Sequence, residues 1–156
     1  MKISWDEKLP QNIANKFMKW FHKIQILKDV TVPRCMKNDI FTKLHVFVDA
    51  SKGSYAGCVF ARSIVDSRVS VILVRAKSRV APLKLLSIPR LELMACCIGA
   101  RLVNSILKPL NMPDLKVTLW SDSTTKFWWI KEFGNWSVFV ANRVEEIRQL
   151  TQIQET

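Results

Sequence analysis

Three acids in this 156-residue chain have neighbours that suit a metal site. Asp49 follows the apolar run Val46-Phe47-Val48, Asp122 follows Leu119-Trp120-Ser121, and Glu92 stands near the start of the apolar stretch Leu91–Val103. An acid that closes an apolar strand is carried to that strand's end. Two such strands side by side lie about 4.8 Å apart. Carboxylates gathered at that distance repel one another and call for a cation, and oxygen-only ligands suit Mg²⁺ or Mn²⁺. Two such ions about 3.5–4 Å apart activate a water and stabilise the leaving oxygen of a phosphodiester. Each acid alone has an ordinary explanation, since strand ends often carry Asp and the first turn of a helix welcomes Glu. Taken together, in a chain of net charge +11, they point to metal-assisted phosphoryl chemistry on a polyanion.

The other reactive side chains do not assemble by spacing. Cysteines 35, 58, 96 and 97 contain no C-x-x-C, and His22 and His45 cannot complete a zinc site with them. Reduced thiols and an intracellular setting, cytoplasmic or nuclear, are expected. The N-terminus lacks the apolar core of a signal peptide, and Leu91–Val103 is interrupted by Glu92 and Arg101, so no membrane span is expected. With 49% hydrophobic and 24% charged residues the chain is built to fold rather than to stay disordered. Four Gly and six Pro exclude collagen-like and low-complexity classes.

The elements that must position the acids follow from periodicity. Ile13, Phe17, Trp20, Ile24 and Leu27 share one helical face, with Lys16, Lys19 and Lys23 off it. Residues 1–34 therefore read as a helical arm, ending in an extended link over Val30–Arg34 imposed by Pro33. Residues 35–156 read as the main domain. Leu44–Ala50 is nearly all apolar and predicts a central strand buried on both faces. Tyr55–Arg62 and Val69–Lys77, joined near Asp66 and Ser67, extend it as an antiparallel meander. A helix from Pro89 to Leu107 follows, ended by Pro109 and Pro113. Its stripe Glu92, Ala95, Cys96, Gly99 and Val103 is mostly small, which lets it approach a sheet closely and brings Glu92 in its first turn to that surface. Lys116–Ser121 is a fourth strand, parallel to the first because a helix crosses between them. Ser123–Phe133 and Phe139–Leu150 are shorter helices, the second with Val140, Val144, Ile147 and Thr151 on one side. The fold expected is α/β, a mixed sheet of three antiparallel strands and a parallel fourth with helices packed on it.

Between the third strand and the crossover helix, Arg75, Lys77, Arg79, Lys84 and Arg90 alternate with apolar and small residues. They are expected to form a basic loop that contacts phosphates, which positions a duplex without reading its sequence. Trp120, Phe127, Trp128 and Trp136 are expected in the core rather than as base-stacking platforms.

Five segments carry a resemblance. They are Leu-His-Val-Phe-Val-Asp-Ala-Ser (44–51), Ala-Lys-Ser-Arg-Val-Ala-Pro-Leu-Lys (76–84), Ser-Ile-Pro-Arg-Leu-Glu-Leu (87–93), Leu-Trp-Ser-Asp-Ser-Thr (119–124) and Phe-Val-Ala-Asn-Arg-Val-Glu-Glu-Ile (139–147). In this order they resemble the RNase H-like region of BEL/Pao retrotransposon polyproteins. Trp5-Asp6-Glu7 with Leu9-Pro10, and Val32-Pro33-Arg34, resemble the connection segment before it. The resemblance implies an RNase H fold that cleaves the RNA strand of an RNA–DNA hybrid during reverse transcription. It implies two Mg²⁺ or Mn²⁺ ions, and a reverse transcriptase portion of the same polyprotein as partner. Asp49, Glu92 and Asp122 match the first three acids of the family's metal-binding set. The fourth follows a fifth strand in an Asn-Pro-Ala-Asp-like motif, and Thr156 comes before that point, so the domain is expected to be incomplete at its C-terminus. Tyr55-Ala56-Gly57 also departs from the family's more usual Tyr-Gly-Ala.

Two other readings compete. Without a fourth acid, the chain is an inactive remnant that at most binds nucleic acid. Regions of this kind also carry a Pao peptidase label, but a retroelement aspartic peptidase needs Asp, then Ser or Thr, then Gly. Asp49-Ala50-Ser51 and Asp122-Ser123-Thr124 lack that Gly.

Overall fold

In the computed structural model, which describes residues 4, 6–32, 42–84, 86–110, 115–122, 124–132 and 134–151, the chain divides into two units, Met1–Pro33 and Arg34–Thr156. Trp5, Pro33, Arg34, Cys35, Pro113, Ser123 and Phe133, on which parts of the sequence reading rest, lie outside the described residues. The first unit carries helix α1 (Gln11–Ile24), continued by a 3-10 turn over Gln25–Asp29. Pro10 starts it, its carbonyl accepting from the amides of Ile13 and Ala14 at 2.9 and 3.0 Å. The expected apolar face forms, yet no residue of α1 is buried.

The second unit is a four-stranded mixed sheet in the order β3-β2-β1-β4. Its strands are β1 (Lys43–Ala50), β2 (Ser54–Val65), β3 (Arg68–Val80) and β4 (Val117–Trp120). The three meander strands pair antiparallel and β4 runs parallel to β1, with Phe47 opposite Trp120. This is the RNase H-like arrangement that the sequence led us to expect. The β2–β3 hairpin closes on Asp66 and Ser67, at φ 50° and 62°. Both central residues lie in the left-handed region, as a two-residue turn that matches the sheet's twist requires. A non-glycine residue there is strained. Ser67→Gly is expected to raise the urea midpoint, with a net gain of about 0.5 kcal/mol after glycine's own entropy cost.

Helix α2 (Ile88–Leu110) lies on one face of the sheet, and α4 (Val138–Thr151) packs on α2. Nearly every position from Leu91 to Val103 is therefore buried. α2 is long and apolar enough to cross a membrane by length and composition, but more than half of its apolar window is buried inside this fold. Leu44, Val46 and Val48 of β1 meet α2, together with Tyr55, Val59 and Ala61 of β2. The small-residue stripe does what the sequence predicts. A Cβ built on Gly99 would stand 2.8 Å from Val48 Cγ1 and 3.1 Å from Val46 Cγ1. Gly57 faces the same contact, where a Cβ would come within 3.3 Å of Ile98 and 3.4 Å of the Gly99 nitrogen. The order Ala56-Gly57 thus sets the smaller residue under the helix and turns Ala56 to the opposite face.

Three expectations need correction. β1 is buried on one face only: Phe47 is 46% exposed and Asp49 is exposed, because none of the described helices of this unit covers that side. Its apolar residues serve two environments, and composition alone cannot separate them. Pro109 does not end α2, which continues to Leu110. A proline in the final turn removes only one internal hydrogen bond. Glu92 stands in the second turn rather than the first, since α2 begins at Ile88.

α4 is tied on by polar contacts as well. Arg101 of α2 holds both carboxylate oxygens of Glu146, at 2.5 and 2.9 Å. Arg148 donates to the carbonyls of Ile130 and Glu132, at the C-terminal end of α3 (Thr124–Lys131). Under this layer, burial pushes the Cys97 thiol up to about 12, with the nearby Glu146 carboxylate adding to the shift. The folded state keeps that proton while the unfolded chain loses it near the ordinary value of 9.0. The stability this contributes is whole below pH 9 and drains as pH rises towards 12. Denaturant titrations from pH 8 to 11 should show a steeper alkaline loss in the wild type than in Cys97→Ala.

Candidate functional site

The uncovered face of the sheet is assembled by parity. Side chains two apart on a strand share a face. On β1 that puts Phe47 with Asp49, opposite the buried Val46 and Val48. Pairing carries the pattern across the sheet: Phe47 faces Cys58, which faces Ala76, and Asp49 faces Ala56, which faces Ser78. On the other side Phe47 pairs with Trp120. β4 ends at Trp120, and Asp122, two residues beyond it, lines the same cavity as Asp49. Two rows result. Trp120, Phe47, Cys58 and Ala76 form one, and Asp122, Asp49, Ala56 and Ser78 the other.

These rows line a cavity of about 740 Å³, which Lys77 and Ser121 also border. Asp49 and Asp122 are both exposed in it, and an Asp49 carboxylate oxygen accepts from the Ala50 amide at 2.7 Å. The aromatic side is ordered. Phe47 and Trp120 stack with centroids 6.3 Å apart, Trp120 stacks on His45 at 6.0 Å, and Phe60 meets Phe47 edge-on. Trp120 Nε1 donates to His45 Nδ1 at 2.9 Å, which fixes the histidine proton on Nε2. Among the described residues, His45 Nε2 and Ser121 Oγ are buried without a hydrogen-bond partner.

Glu92 is not among the residues lining the cavity. The link at 81–87 starts α2 at the end of the sheet where β1 finishes, so Glu92 belongs to the same end as the two aspartates. It sits on the other face, 9% exposed under α2. Among the described residues no three His, Cys, Asp or Glu side chains stand close enough to hold an ion together. The carboxylates that share the cavity are those of Asp49 and Asp122. Such a pair suits one Mg²⁺ or Mn²⁺, because Mg²⁺ keeps several waters and takes one or two carboxylates.

The basic residues divide. Arg75, Lys77 and Arg79 are not on a loop: they alternate along β3, opposite Val59, Gly57 and Tyr55 on the helix-bearing face. Arg75 donates to Ser105 Oγ of α2 at 3.0 Å, so it helps fix the helix. Lys77 borders the cavity, and Arg79 is exposed farther along the strand. Lys84 is exposed in the link after β3, and Arg90 lies over the Phe139 ring at 5.4 Å. The core expectation needs correction for Trp120, which is 48% exposed, and for Trp128, which is exposed, whereas Trp136 packs against the core. The i, i+2 relation of Trp120 to Asp122, matching that of Phe47 to Asp49, is the sequence signal that would have found the aromatic row.

A family model described as the Pao retrotransposon-like RNaseH-like domain matches residues 1–123. A search of the curated proteins gives no match.

Proposed function

From the chain's membership of the Pao retrotransposon-like RNaseH-like domain family, we propose that it binds an RNA–DNA hybrid and cleaves the RNA strand with a divalent metal. The observation that carries this is the sharing of one cavity by Asp49 and Asp122. Asp49 and Asp122 would hold the Mg²⁺ or Mn²⁺, and the bound metal supplies an activated water and charge stabilisation at the leaving oxygen. Lys77, Arg79 and Lys84 would contact backbone phosphates away from those acids, since the alternation of β3 sets Lys77 and Arg79 on the helix-bearing face. Arg75 and Arg90 act through the fold, one anchoring α2 and the other packing on Phe139. Glu92, at the same end of the sheet, is assigned a lesser share as third acid. A hybrid is distinguished from DNA by its groove shape and its 2′-hydroxyls. The setting proposed is a retroelement polyprotein inside the cell, in a cytoplasmic particle or the nucleus, with reverse transcriptase as neighbour.

The test offers end-labelled RNA–DNA hybrid, double-stranded RNA and double-stranded DNA to the protein in Mg²⁺, Mn²⁺ or EDTA. The expected result is cutting of the RNA strand of the hybrid alone, in either metal and not in EDTA. Salt-sensitive hybrid binding without cutting would replace this reading with that of a binding remnant.

A further inference from the structure

Helix α1 carries an exposed apolar face bordered by lysines. At about 100° per residue, Trp20, Ile13, Ile24, Phe17 and Phe21 follow one another around a single arc. Within it Phe17 touches Trp20 and Phe21, with ring centroids 5.6 and 6.2 Å apart. The arc is exposed: Trp20 is 56% accessible, and Phe17, Phe21 and Ile13 are exposed as well. An apolar face of this width is normally covered. The charge beside it is one-sided. Lys16, Lys19 and Lys23 fall within roughly 60° of one another, next to Trp20. The opposite flank is neutral, with Gln11, His22 and Gln25, and no acid occurs from Gln11 to Lys28.

We propose that α1 docks this face on an amphipathic helix or groove of a protein partner that bears a row of carboxylates along one edge. The lopsided charge selects this occupant. An anionic bilayer attracts both borders of a helix lying in its surface, and helices suited to it are rich in Lys or Arg across the polar face. The α1 of a second copy supplies no carboxylate: an antiparallel two-fold pair of these helices would set the two lysine rows against each other, and a parallel pair would set each against a neutral flank. A carboxylate row beside an apolar groove satisfies the lysines and covers the aromatic arc, and the charges fix the direction in which the helix lies.

Three probes test this on the full chain: a Leu-faced helical peptide with Glu along one flank, the same peptide with Lys there, and phosphatidylcholine–phosphatidylglycerol vesicles. The Glu peptide should bind about tenfold tighter than the Lys peptide, as three exposed ion pairs of ordinary strength would give. Changing Lys16, Lys19 and Lys23 together to Glu should reverse the preference, and changing them to Gln should abolish it, with helicity followed by circular dichroism. Trp20→Ser should weaken both peptides alike. Equal binding of the two peptides, stronger binding to vesicles than to the Glu peptide, or a concentration-dependent dimer that Trp20→Ser dissolves would each overturn the proposal.

Discussion

Asp49→Asn and Asp122→Asn should each slow hybrid cleavage by about 10²–10³-fold in saturating Mg²⁺, with the protein still folded. The substitution keeps the side chain's shape and removes the charge that a divalent ion needs. Metal-borne stabilisation of a phosphoryl transition state amounts to several kcal/mol, and each 1.36 kcal/mol is a factor of ten in rate. Both residues are exposed at the cavity, so neither change opens a hole in the core. Hybrid affinity in EDTA should be nearly unchanged, because phosphate contacts with Lys and Arg supply it. Single-turnover cleavage rates, read beside binding in EDTA, separate the two effects. Glu92→Gln should cost less than either aspartate change. A larger loss for Glu92→Gln than for Asp49→Asn would move the metal site off the open face.

The second large effect concerns the contact that sets α2 on the sheet. Gly99→Ala should lower stability by about 1–2 kcal/mol, although alanine is the better helix former by about 1 kcal/mol. The reason is space: the new methyl would meet Val48 Cγ1 at 2.8 Å and Val46 Cγ1 at 3.1 Å. Valine is stiff about χ1, so neither methyl swings clear cheaply. Gly99→Leu should abolish folding. The discriminating experiment is a double-mutant cycle with Val48→Ala, which costs about 2 kcal/mol alone by emptying the site. The pair together should lose clearly less than the sum, because the alanine methyl occupies the space left by the valine. Strict additivity would show that the close approach does not limit packing.

Much of this was legible in the chain because periodicity and connection length constrain a sheet tightly. The short links between the first three strands imply the meander, and the crossover helix implies the parallel fourth strand. What composition could not give was which side of β1 is covered. Val46, Phe47 and Val48 are all apolar, yet only the valines lie under α2, and Phe47 packs with Trp120 on the open face. Depth was misread at Trp120 for the same reason: a large aromatic residue suits a core or an exposed stack. Asp49 and Asp122 stand out because strand ends are visible in sequence, and the structure has both lining one cavity. Glu92 was harder, since the small stripe that brings it to the sheet also sets it on the opposite face from the aspartates.

The basic residues show another limit of linear reading. Arg75, Lys77 and Arg79 look like a charged loop in sequence, but β3 continues to Val80 and gives them a strand's alternation. That alternation turns all three to the helix-bearing face, where Arg75 donates to Ser105 of α2.

In the proposed mechanism Asp49 and Asp122 share a divalent cation on the open face of the sheet. Mn²⁺ binding by the wild type, Asp49→Asn, Asp122→Asn and Glu92→Gln, followed by electron paramagnetic resonance of the free ion, tests it most directly. The account predicts that the wild type binds Mn²⁺, that either aspartate change removes the binding, and that Glu92→Gln retains most of it. Unchanged Mn²⁺ binding in Asp49→Asn or in Asp122→Asn would contradict it.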